Sequence, residues 1–373
     1  MTTHARSPAQ LGFAMPAEWE PHAATWLVWP QYTADWPGKM NAVQWVYGEI
    51  VRKLAAGERV RILVNTTAVE GRARRVLDSA HADLGQVEFL RWPTDRGWMR
   101  DSGPIFVRRV VQGRGETAIV HFHFNAWARY DDWRQDRRIP ERASRLLGVP
   151  LFEARCRGRP FVLEGGGIDV NGNGTLLTTA ECYLDTDIQV RNPGLGRAEF
   201  EDTVGRCLGA THVVWLGGGI AGDDTHGHVD DLCRFVNPQT VVLAQCHDRQ
   251  DVNYRPLAEN FERLQDLRLA DGSKIDVVPL PMPQPLYCRG KRLPASYANF
   301  YIANAAVLVP TFNDPADRQA LGILAELFAG RPDRHPCRGP RAGARHPALP
   351  DAAATGDVKH RNAVCCSARI GLV

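Results

Sequence analysis

Residues 59–93 read RVRILVNTTAVEGRARRVLDSAHADLGQVEFLRWP, and this stretch decides the class of fold. Its two ends, residues 59–65 and 87–93, are short apolar runs rich in Val, Leu and Ile, which is typical of buried strands. Between them, residues 70–84 place apolar side chains three and four positions apart, as an amphipathic helix does. A helix between two short strands predicts an α/β fold.

The same alternation continues along the rest of the chain. Further runs of strand length are Ala24 to Pro30, Gly103 to Val107, Ala118 to Phe124, Thr175 to Thr179, Val213 to Leu216, Val241 to Ala244, Ile275 to Pro279 and Ala305 to Pro310. Further helical patterns are Asn41 to Ala56, Asp131 to Leu147, Arg197 to Leu208, Pro256 to Leu267 and Pro315 to Phe328. This repeating order, in which strands are followed by a helix and then by strands again, indicates repeated supersecondary units rather than a doubly wound sheet.

Composition excludes several classes of protein. Of 373 residues, 44% are hydrophobic and 23% are charged, which is ordinary for a globular chain and unlike a disordered one. No apolar run reaches the roughly 18 residues of a membrane-spanning helix, and the start MTTHARSPAQLGF lacks a signal peptide's apolar segment. The first 330 residues carry slightly more acidic than basic side chains, which argues against a nucleic-acid surface. We expect a cytoplasmic protein that binds neither membrane nor nucleic acid.

The cysteines indicate neither a disulfide framework nor a zinc ribbon. There are nine, an odd number, and none forms a CxxC pair. Cys182, Cys233 and Cys246 lie on or beside predicted strands, where we expect packed thiols rather than nucleophiles.

Three polar clusters interrupt the apolar pattern. The first, TDRGWMRDSGP at residues 94–104, follows a predicted strand and, by itself, also fits a solvated loop. The second is Glu164, which ends the apolar run of residues 161–163 and precedes three glycines. By itself it also fits a turn or a helix cap, but a buried Glu needs a cation or hydrogen-bond donors to stay ionised.

The third cluster, DDTHGHVDD at residues 223–231, pairs a histidine with a carboxylate. In an extended chain, residues two apart face the same way, so His228 and Asp230 should project into one cleft. A polar turn before the next strand is the alternative. A second alternative is a zinc metallohydrolase, because His226, His228 and Asp230 have HxHxD spacing and His121 and His123 could complete the site. That alternative uses neither residues 94–104 nor Glu164.

Together these motifs resemble a known family. MPAEWEPH at 15–22, TDRGWMRDSGP at 94–104, LEGGGIDVNG at 163–172, GHVDD at 227–231 and NFYIAN at 299–304 look like an agmatine deiminase of the wider peptidyl-arginine deiminase type. The resemblance covers about residues 12 to 330, in the right order. It implies the pentein fold of the guanidino-group-modifying superfamily, a five-bladed α/β propeller of ββαβ units. We expect residues 1–330 to form this single catalytic domain, with the last blade incomplete.

The resemblance also implies roles for individual residues. Asp101 and Asp230 match the carboxylates that clamp a substrate guanidinium, and His228 matches the general acid/base. Glu164 matches the family's acidic residue, and Trp98 with its acidic neighbours suits a small cationic substrate. A cysteine thiolate would attack the guanidinium carbon, converting agmatine to N-carbamoylputrescine and ammonia without metal or organic cofactor. A peptidyl- or free-arginine deiminase, a non-catalytic guanidinium-binding protein, and a homo-oligomer remain open.

Two features depart from the family pattern. His226 stands where the family usually has Asp or Asn. The nucleophile of the family lies near its C-terminus in a stretch like GxLHCxTQQQP, and no such stretch is present. Residues 331–373 instead hold seven Arg and one Lys against three Asp, with no strand or helix period.

A reading-frame shift explains this basic tail. Permitted codons for residues 345–356, read one base later, encode GTLHCLTQQQP, and residues 332–344 treated alike can encode RIGIHAVDLVLGL. The first restores the missing motif, with the cysteine codon split between Leu349 and Pro350, and the second restores an apolar strand. We therefore interpret residues 331–373 as a frameshifted, disordered tail, and expect the chain as written to lack the nucleophilic Cys and deiminase activity.

Overall fold

The computed structural model describes residues 6–329 and 362–365. The helices are α1 (Met40–Leu54), α2 (Thr67–Ser79), α3 (Met99–Ser102), α4 (Ile139–Leu147), α5 (Ala180–Leu184), α6 (Arg197–Leu208), α7 (Tyr254–Leu264) and α8 (Ala316–Leu327). The first strands are β1 (His22–Val28), β2 (Arg59–Leu63), β3 (Val87–Leu90), β4 (Ile105–Val111), β5 (Arg114–His121), β6 (Leu151–Glu153), β7 (Arg155–Cys156), β8 (Arg159–Pro160), β9 (Asp169–Val170) and β10 (Thr175–Thr179). The later strands are β11 (His212–Leu216), β12 (Cys233–Phe235), β13 (Thr240–Gln245), β14 (Asp276–Pro281), β15 (Tyr287–Cys288), β16 (Lys291–Arg292), β17 (Tyr301–Ile302), β18 (Val307–Leu308) and β19 (Asn362–Cys365).

Within the described residues, one arrangement of strands and helix occurs three times. β4 and β5 pair antiparallel, α4 follows, and β6 returns parallel to β5. The same order holds for β9, β10, α6 and β11, and again for β12, β13, α7 and β14. The antiparallel pair β17 and β18, followed by α8, begins a similar unit. The predicted mixed α/β fold is therefore confirmed, whereas closure into five blades with an incomplete last one stays a prediction.

The first sheet has the order β19, β1, β2, β3, and all its strands are parallel. β19 pairs with β1 in a register that places Cys365 opposite Trp26. The rest of the tail from residue 330 onward lies outside the described residues, so the division at residue 330 and the disordered tail remain predictions.

The helices α6 and α7 each cover a sheet with an apolar face. Phe200 and Val204 of α6 pack with Trp215 of β11 and with Phe161, and all four are buried. Leu257 and Leu264 of α7 pack on the sheet of β12 to β14 in the same way. Burying a large apolar side chain stabilises the fold by about 1.5 to 3 kcal/mol. These cores also join neighbouring units, since Val107 and Val120 of β4 and β5 share the core of Phe200. Among the described residues, none of the helices combines the length and the apolar composition needed to cross a lipid bilayer.

The predicted helix at residues 131–147 is shorter than expected. The α-helix begins only at Ile139, with Pro140 in its first turn, where the missing N–H of proline costs nothing. The preceding turn is held by the buried Asp136, whose carboxylate accepts hydrogen bonds from the backbone N–H groups of Asp95 and Arg96. This contact comes from a distant part of the chain, so the local apolar spacing could not reveal it and predicted a helix that begins too early.

Candidate active site

Four side chains predicted from three motifs meet inside the molecule, with three carboxylates around the ring of His228. Its Nδ1 lies 3.7 Å from Asp101 Oδ1 and 3.9 Å from Asp230 Oδ1. Its Nε2 lies 3.4 Å from Glu164 Oε2. All four residues are buried, with at most 4% of their surface exposed. The structure thus assembles a histidine between three carboxylates.

Asp101 comes from the single turn of α3, within the first polar cluster. One carboxylate oxygen accepts a hydrogen bond from the backbone N–H of Gly166 at 3.1 Å, and the other accepts one from the indole N–H of Trp127 at 3.1 Å. Both carboxylate oxygens of Asp101 are therefore fixed by hydrogen bonds. Trp127 was not identified from the sequence, because nothing near it in the chain marks it as a neighbour of Asp101.

The glycines after Glu164 are required by close packing. A Cβ on Gly166 would lie 2.5 Å from His228 Nδ1 and 2.7 Å from Asp101 Oδ1. A Cβ on Gly165 would lie 2.2 Å from the backbone oxygen of Arg100. Any side chain at residue 166 would occupy the space between the histidine and the carboxylates.

Glu164 has a buried cation as its partner. Arg191 Nε lies 3.3 Å from each of its carboxylate oxygens, and neither side chain is exposed to solvent. Burial alone would raise the pKa of Glu164, but the charges of Arg191 and His228 lower it below its usual value. Arg191 also donates hydrogen bonds to the carbonyls of Gln189 and Thr225. The sequence predicted that Glu164 needs a cation but did not identify Arg191.

The carboxylates around His228 favour its protonated form. Burial by itself would lower its pKa, but the Asp101 carboxylate and hydrogen bonds with Cys182 and Glu164 raise the pKa well above its usual value. Nδ1 makes no hydrogen bond within the described part of the chain. An imidazolium with one N–H facing two carboxylates can give a proton to a group that enters between them.

His228 and Asp230 come together in a conformation that differs from the prediction. Val229–Asp231 form a turn of 3-10 helix rather than an extended strand. The two side chains nevertheless both reach the site. Their predicted proximity is confirmed, although the reasoning from an extended chain was wrong.

Trp98 lies just before α3 and is half-buried. Its ring packs against that of Trp36, with 5.8 Å between centroids, and its indole N–H donates to Asp35 at 3.2 Å. Burial raises the pKa of Asp35 to about 6, against the opposing charge of Arg96. Trp98 also packs against the aromatic cluster that contains Trp127. Its role in substrate binding remains a prediction.

The HxHxD set does not assemble into a metal site. His226 has a left-handed backbone, with φ at +62°, and its ring contacts Asp185 at 2.7 Å and Glu181 at 3.3 Å. His121 contacts Glu153 and the carbonyl of Arg137 instead. The zinc hypothesis is therefore wrong in its proposed ligands.

A different group within the described residues could in principle hold a metal. Ligand atoms of Glu164, Cys182 and His228 lie within 4.8 Å of one another, and all three residues are buried. Arg191 already places a guanidinium on Glu164, and the raised pKa of His228 favours a second positive charge there. These charges oppose a divalent cation at this position.

The cysteines named from the sequence differ in their surroundings. Cys233 is buried in β12, and burial raises its pKa. Cys246 is half-buried and its pKa is also raised by burial. Cys182 is buried in α5 as expected, but its nearness to His228 and Glu164 was not foreseen.

Comparisons with known proteins show which family this chain resembles. Residues 14–334 match the Porphyromonas-type peptidyl-arginine deiminase family. An agmatine deiminase from Ectopseudomonas mendocina (strain ymp) is 36% identical over 351 residues, which cover 88% of this chain and 91% of that protein. The structure of the agmatine deiminase of Enterococcus faecalis is 29% identical, with a TM-score of 0.77 over 88% of this chain and 91% of that one. A substrate-bound cysteine-to-serine variant of the C. jejuni agmatine deiminase is 28% identical, with a TM-score of 0.72 over 86% and 89% of the two chains.

The fold is that of the pentein enzymes that act on guanidine groups. Within that class, the chain belongs to the Porphyromonas-type peptidyl-arginine deiminase family. Its relatives named agmatine deiminase are hydrolases that act on carbon–nitrogen bonds.

Proposed function

We propose that this protein is built to hydrolyse the guanidinium group of agmatine, yielding N-carbamoylputrescine and ammonia. The observation that carries the proposal is the placement of Asp101 and Asp230 on the same side of His228, within 4 Å of Nδ1. A guanidinium is planar and presents several N–H donors, so two carboxylates at one site suit it better than they suit a single ammonium.

His228 acts as the acid and then as the base of the reaction. A cysteine thiolate adds to the guanidinium carbon, and a carbon–sulfur bond forms. The bond from that carbon to one nitrogen breaks, and the His228 imidazolium gives its proton to the nitrogen, which leaves as ammonia. Neutral His228 then takes a proton from water as it attacks the carbon, the carbon–sulfur bond breaks, and the thiolate returns. No metal or organic cofactor is required.

Glu164 holds His228 in its protonated form. Its carboxylate lies on the Nε2 side of the ring, while Arg191 keeps that carboxylate ionised. The charge on Glu164 stabilises the imidazolium before ammonia departs and again after water has been deprotonated.

The nucleophile belongs to the C-terminal segment that the shifted reading frame restores. The relative that was solved with substrate bound carries a cysteine-to-serine change, which supports a cysteine whose loss leaves the substrate in place. In this chain the corresponding motif is absent from the sequence. The chain as written is therefore a guanidinium-binding protein without deiminase activity.

Agmatine is favoured over arginine as the substrate. The closely matching curated relatives are named for agmatine. Near Trp98, the carboxylates of Asp35 and Asp224 lie close enough for the charge of Asp224 to raise the pKa of Asp35. These two carboxylates would repel the carboxylate of arginine, which agmatine lacks. A peptidyl or free arginine substrate remains the alternative.

The test compares the chain as written with a frame-restored chain whose residues 332–356 follow the shifted reading. We expect ammonia release from agmatine, and much less from arginine, only in the restored chain. Calorimetry should show agmatine binding to both. A restored chain that releases no ammonia from either substrate would refute the proposed activity. Resequencing the gene around the codons for residues 328–333 decides whether the shift is present in the gene.

A further inference from the structure

Three consecutive residues next to the site have left-handed backbones. The φ angles of Ala126, Trp127 and Ala128 are +51°, +60° and +52°. Residues with a Cβ rarely adopt this conformation, and a run of three is unfavourable unless the surrounding structure imposes it. Contacts with the rest of the protein must therefore stabilise the left-handed conformation of residues 126–128.

The surrounding contacts show what the turn holds. Asn125 accepts a hydrogen bond from the backbone N–H of Ala128, and Gln189 donates one to the carbonyl of Trp127. The Trp127 ring is 2% exposed and meets Phe124 and Tyr130 edge-on, with centroids 5.4 and 6.0 Å away. Both its backbone and its ring are thus fixed on more than one side.

The fixed indole points its N–H at the guanidinium clamp. Trp127 Nε1 donates to Asp101 Oδ2 at 3.1 Å, while Gly166 donates to Oδ1 of the same carboxylate. A carboxylate held through both oxygens cannot turn about its side-chain bond. Its plane is set before any substrate arrives, as recognition of a planar group requires.

We propose that Trp127 is a positioning residue that sets the plane of the Asp101 carboxylate and so gives the site its preference for a guanidinium over a primary ammonium. The inference rests on the proposed function, since it assigns the selectivity of that same site. The indole N–H orients Asp101, and Asp101 contacts the substrate.

The experiment measures binding of two ligands to the full chain by calorimetry. The ligands are agmatine and 1,5-diaminopentane, which is of similar length but carries an ammonium in place of the guanidinium. Trp127→Phe keeps an aromatic ring and removes the N–H. Trp133→Phe is the matched control, since Trp133 packs in the same aromatic cluster but its ring contacts His123.

We expect Trp127→Phe to weaken agmatine binding about tenfold, the equivalent of one hydrogen bond to a charged group. Binding of the diamine should change little, because an ammonium does not depend on the plane of the carboxylate. The control should match the wild-type chain for both ligands. Equal weakening of both ligands, or no change for agmatine, would overturn the inference.

A second measurement separates this inference from the proposed function. In the ligand-free chain, the indole N–H resonance of Trp127 should move when Asp101→Asn replaces the carboxylate with a weaker acceptor. If the chain as written binds no agmatine, the proposed function fails. The Trp127 resonance then tests, without any ligand, whether the indole N–H donates a hydrogen bond to Asp101. A resonance that stays in place would then refute the positioning role, whereas a shift would support it.

Discussion

At the scale of single residues, the chemistry proposed for the site depends on which side chains contact His228. Two histidines stand two positions apart in the same polar cluster, yet only His228 faces the carboxylates of Asp101 and Asp230. His226 is turned outward toward Asp185 by its left-handed backbone. This difference in contacts predicts separate roles for the two histidines.

Replacing the two histidines one at a time should therefore have opposite results. In the frame-restored chain, we expect His228→Ala to abolish ammonia release while agmatine still binds, because the proton donor is lost but both clamp residues remain. His226→Ala should retain most of the activity. Steady-state ammonia release and calorimetry measure both effects, and inactivity of His226→Ala alone would revive a role for the HxHxD motif.

Replacing one clamp carboxylate should weaken the use of substrate. Asp230→Asn in the restored chain removes one charged acceptor, so we expect a loss in kcat/KM equivalent to about 1.5 to 3 kcal/mol. Asp224→Asn, a change on the same loop but outside the cluster around His228, should cost less. Unchanged kcat/KM in Asp230→Asn would remove Asp230 from the clamp.

At the scale of the elements, the site is made where short turns replace regular structure. Asp101 lies on a single helical turn, and Asp230 lies on a turn of 3-10 helix. Trp127 lies in the left-handed turn of residues 126–128. The strands and longer helices of the ββαβ units hold these turns, and the turns direct the reactive side chains inward.

The strain in this left-handed turn can be measured by relieving it. Ala128 is exposed, so Ala128→Gly removes an unfavourable backbone conformation and loses little packing. We expect the free energy of unfolding to rise by about 0.5 to 1 kcal/mol. Ala42→Gly, at an exposed position within α1, should instead lower it by about 1 kcal/mol. Chemical denaturation compares the two, and destabilisation by Ala128→Gly would show that the turn is not strained.

At the scale of the whole molecule, a buried ion-pair network joins distant parts of the chain. Glu18, near the N-terminus, contacts Arg100 of α3 at 2.7 Å and Arg234 of β12 at 3.0 Å. Arg234 also contacts Asp169 of β9 at 3.3 Å. Burial opposes the charge on Glu18, but the two arginines lower its pKa to about 2.

This network predicts a dependence of stability on pH. Because the folded pKa of Glu18 lies below its unfolded value of 4.5, its stabilising contribution is complete above about pH 4.5 and is lost as the pH falls toward 2. We expect Glu18→Gln to lower the free energy of unfolding at pH 7 by about 3 kcal/mol, with the difference from wild type shrinking below pH 4.5.

Denaturation of both chains at several pH values measures this difference. Glu49→Gln is the control, because Glu49 pairs with Arg52 at the surface, where ion pairs contribute little. A difference that stays constant from pH 7 to pH 2.5 would contradict the network's role.

The C-terminal segment should also matter for the stability of the whole fold. The unit that begins with β17, β18 and α8 would receive its next strand from residues that the shifted frame restores, and each buried apolar side chain there contributes about 1.5 to 3 kcal/mol. Total stabilities are only about 5 to 15 kcal/mol. We expect the restored chain to have a higher thermal midpoint and soluble yield than the chain as written. Equal values for the two would argue against the frameshift interpretation.

Much of the fold and of the site could be predicted from local pattern. The apolar spacing of residues 197–208 identified α6 with the correct bounds, since a helix that covers one sheet shows its buried face in its own sequence. The predicted helix at residues 131–147 was too long, because a contact of Asp136 with distant residues holds a turn there and the helix begins only at Ile139. The polar clusters indicated Glu164, His228 and Asp230 as candidate site residues, because they interrupt otherwise apolar runs. Asp101 was singled out within its cluster only by the family resemblance.

The sequence by itself determined the alternation of strands and helices, the chemical types of the site residues and the family to which they point. Only the tertiary structure decided that Arg191 neutralises Glu164, that Trp127 holds Asp101, and that Cys182 lies beside His228. Secondary structure follows from spacing along the chain, so neighbouring residues reveal it. The partner of a buried charge follows from packing between segments far apart in the chain, such as the 26 residues that separate Trp127 from Asp101. No local pattern records that packing, because it exists only when the units fold against one another.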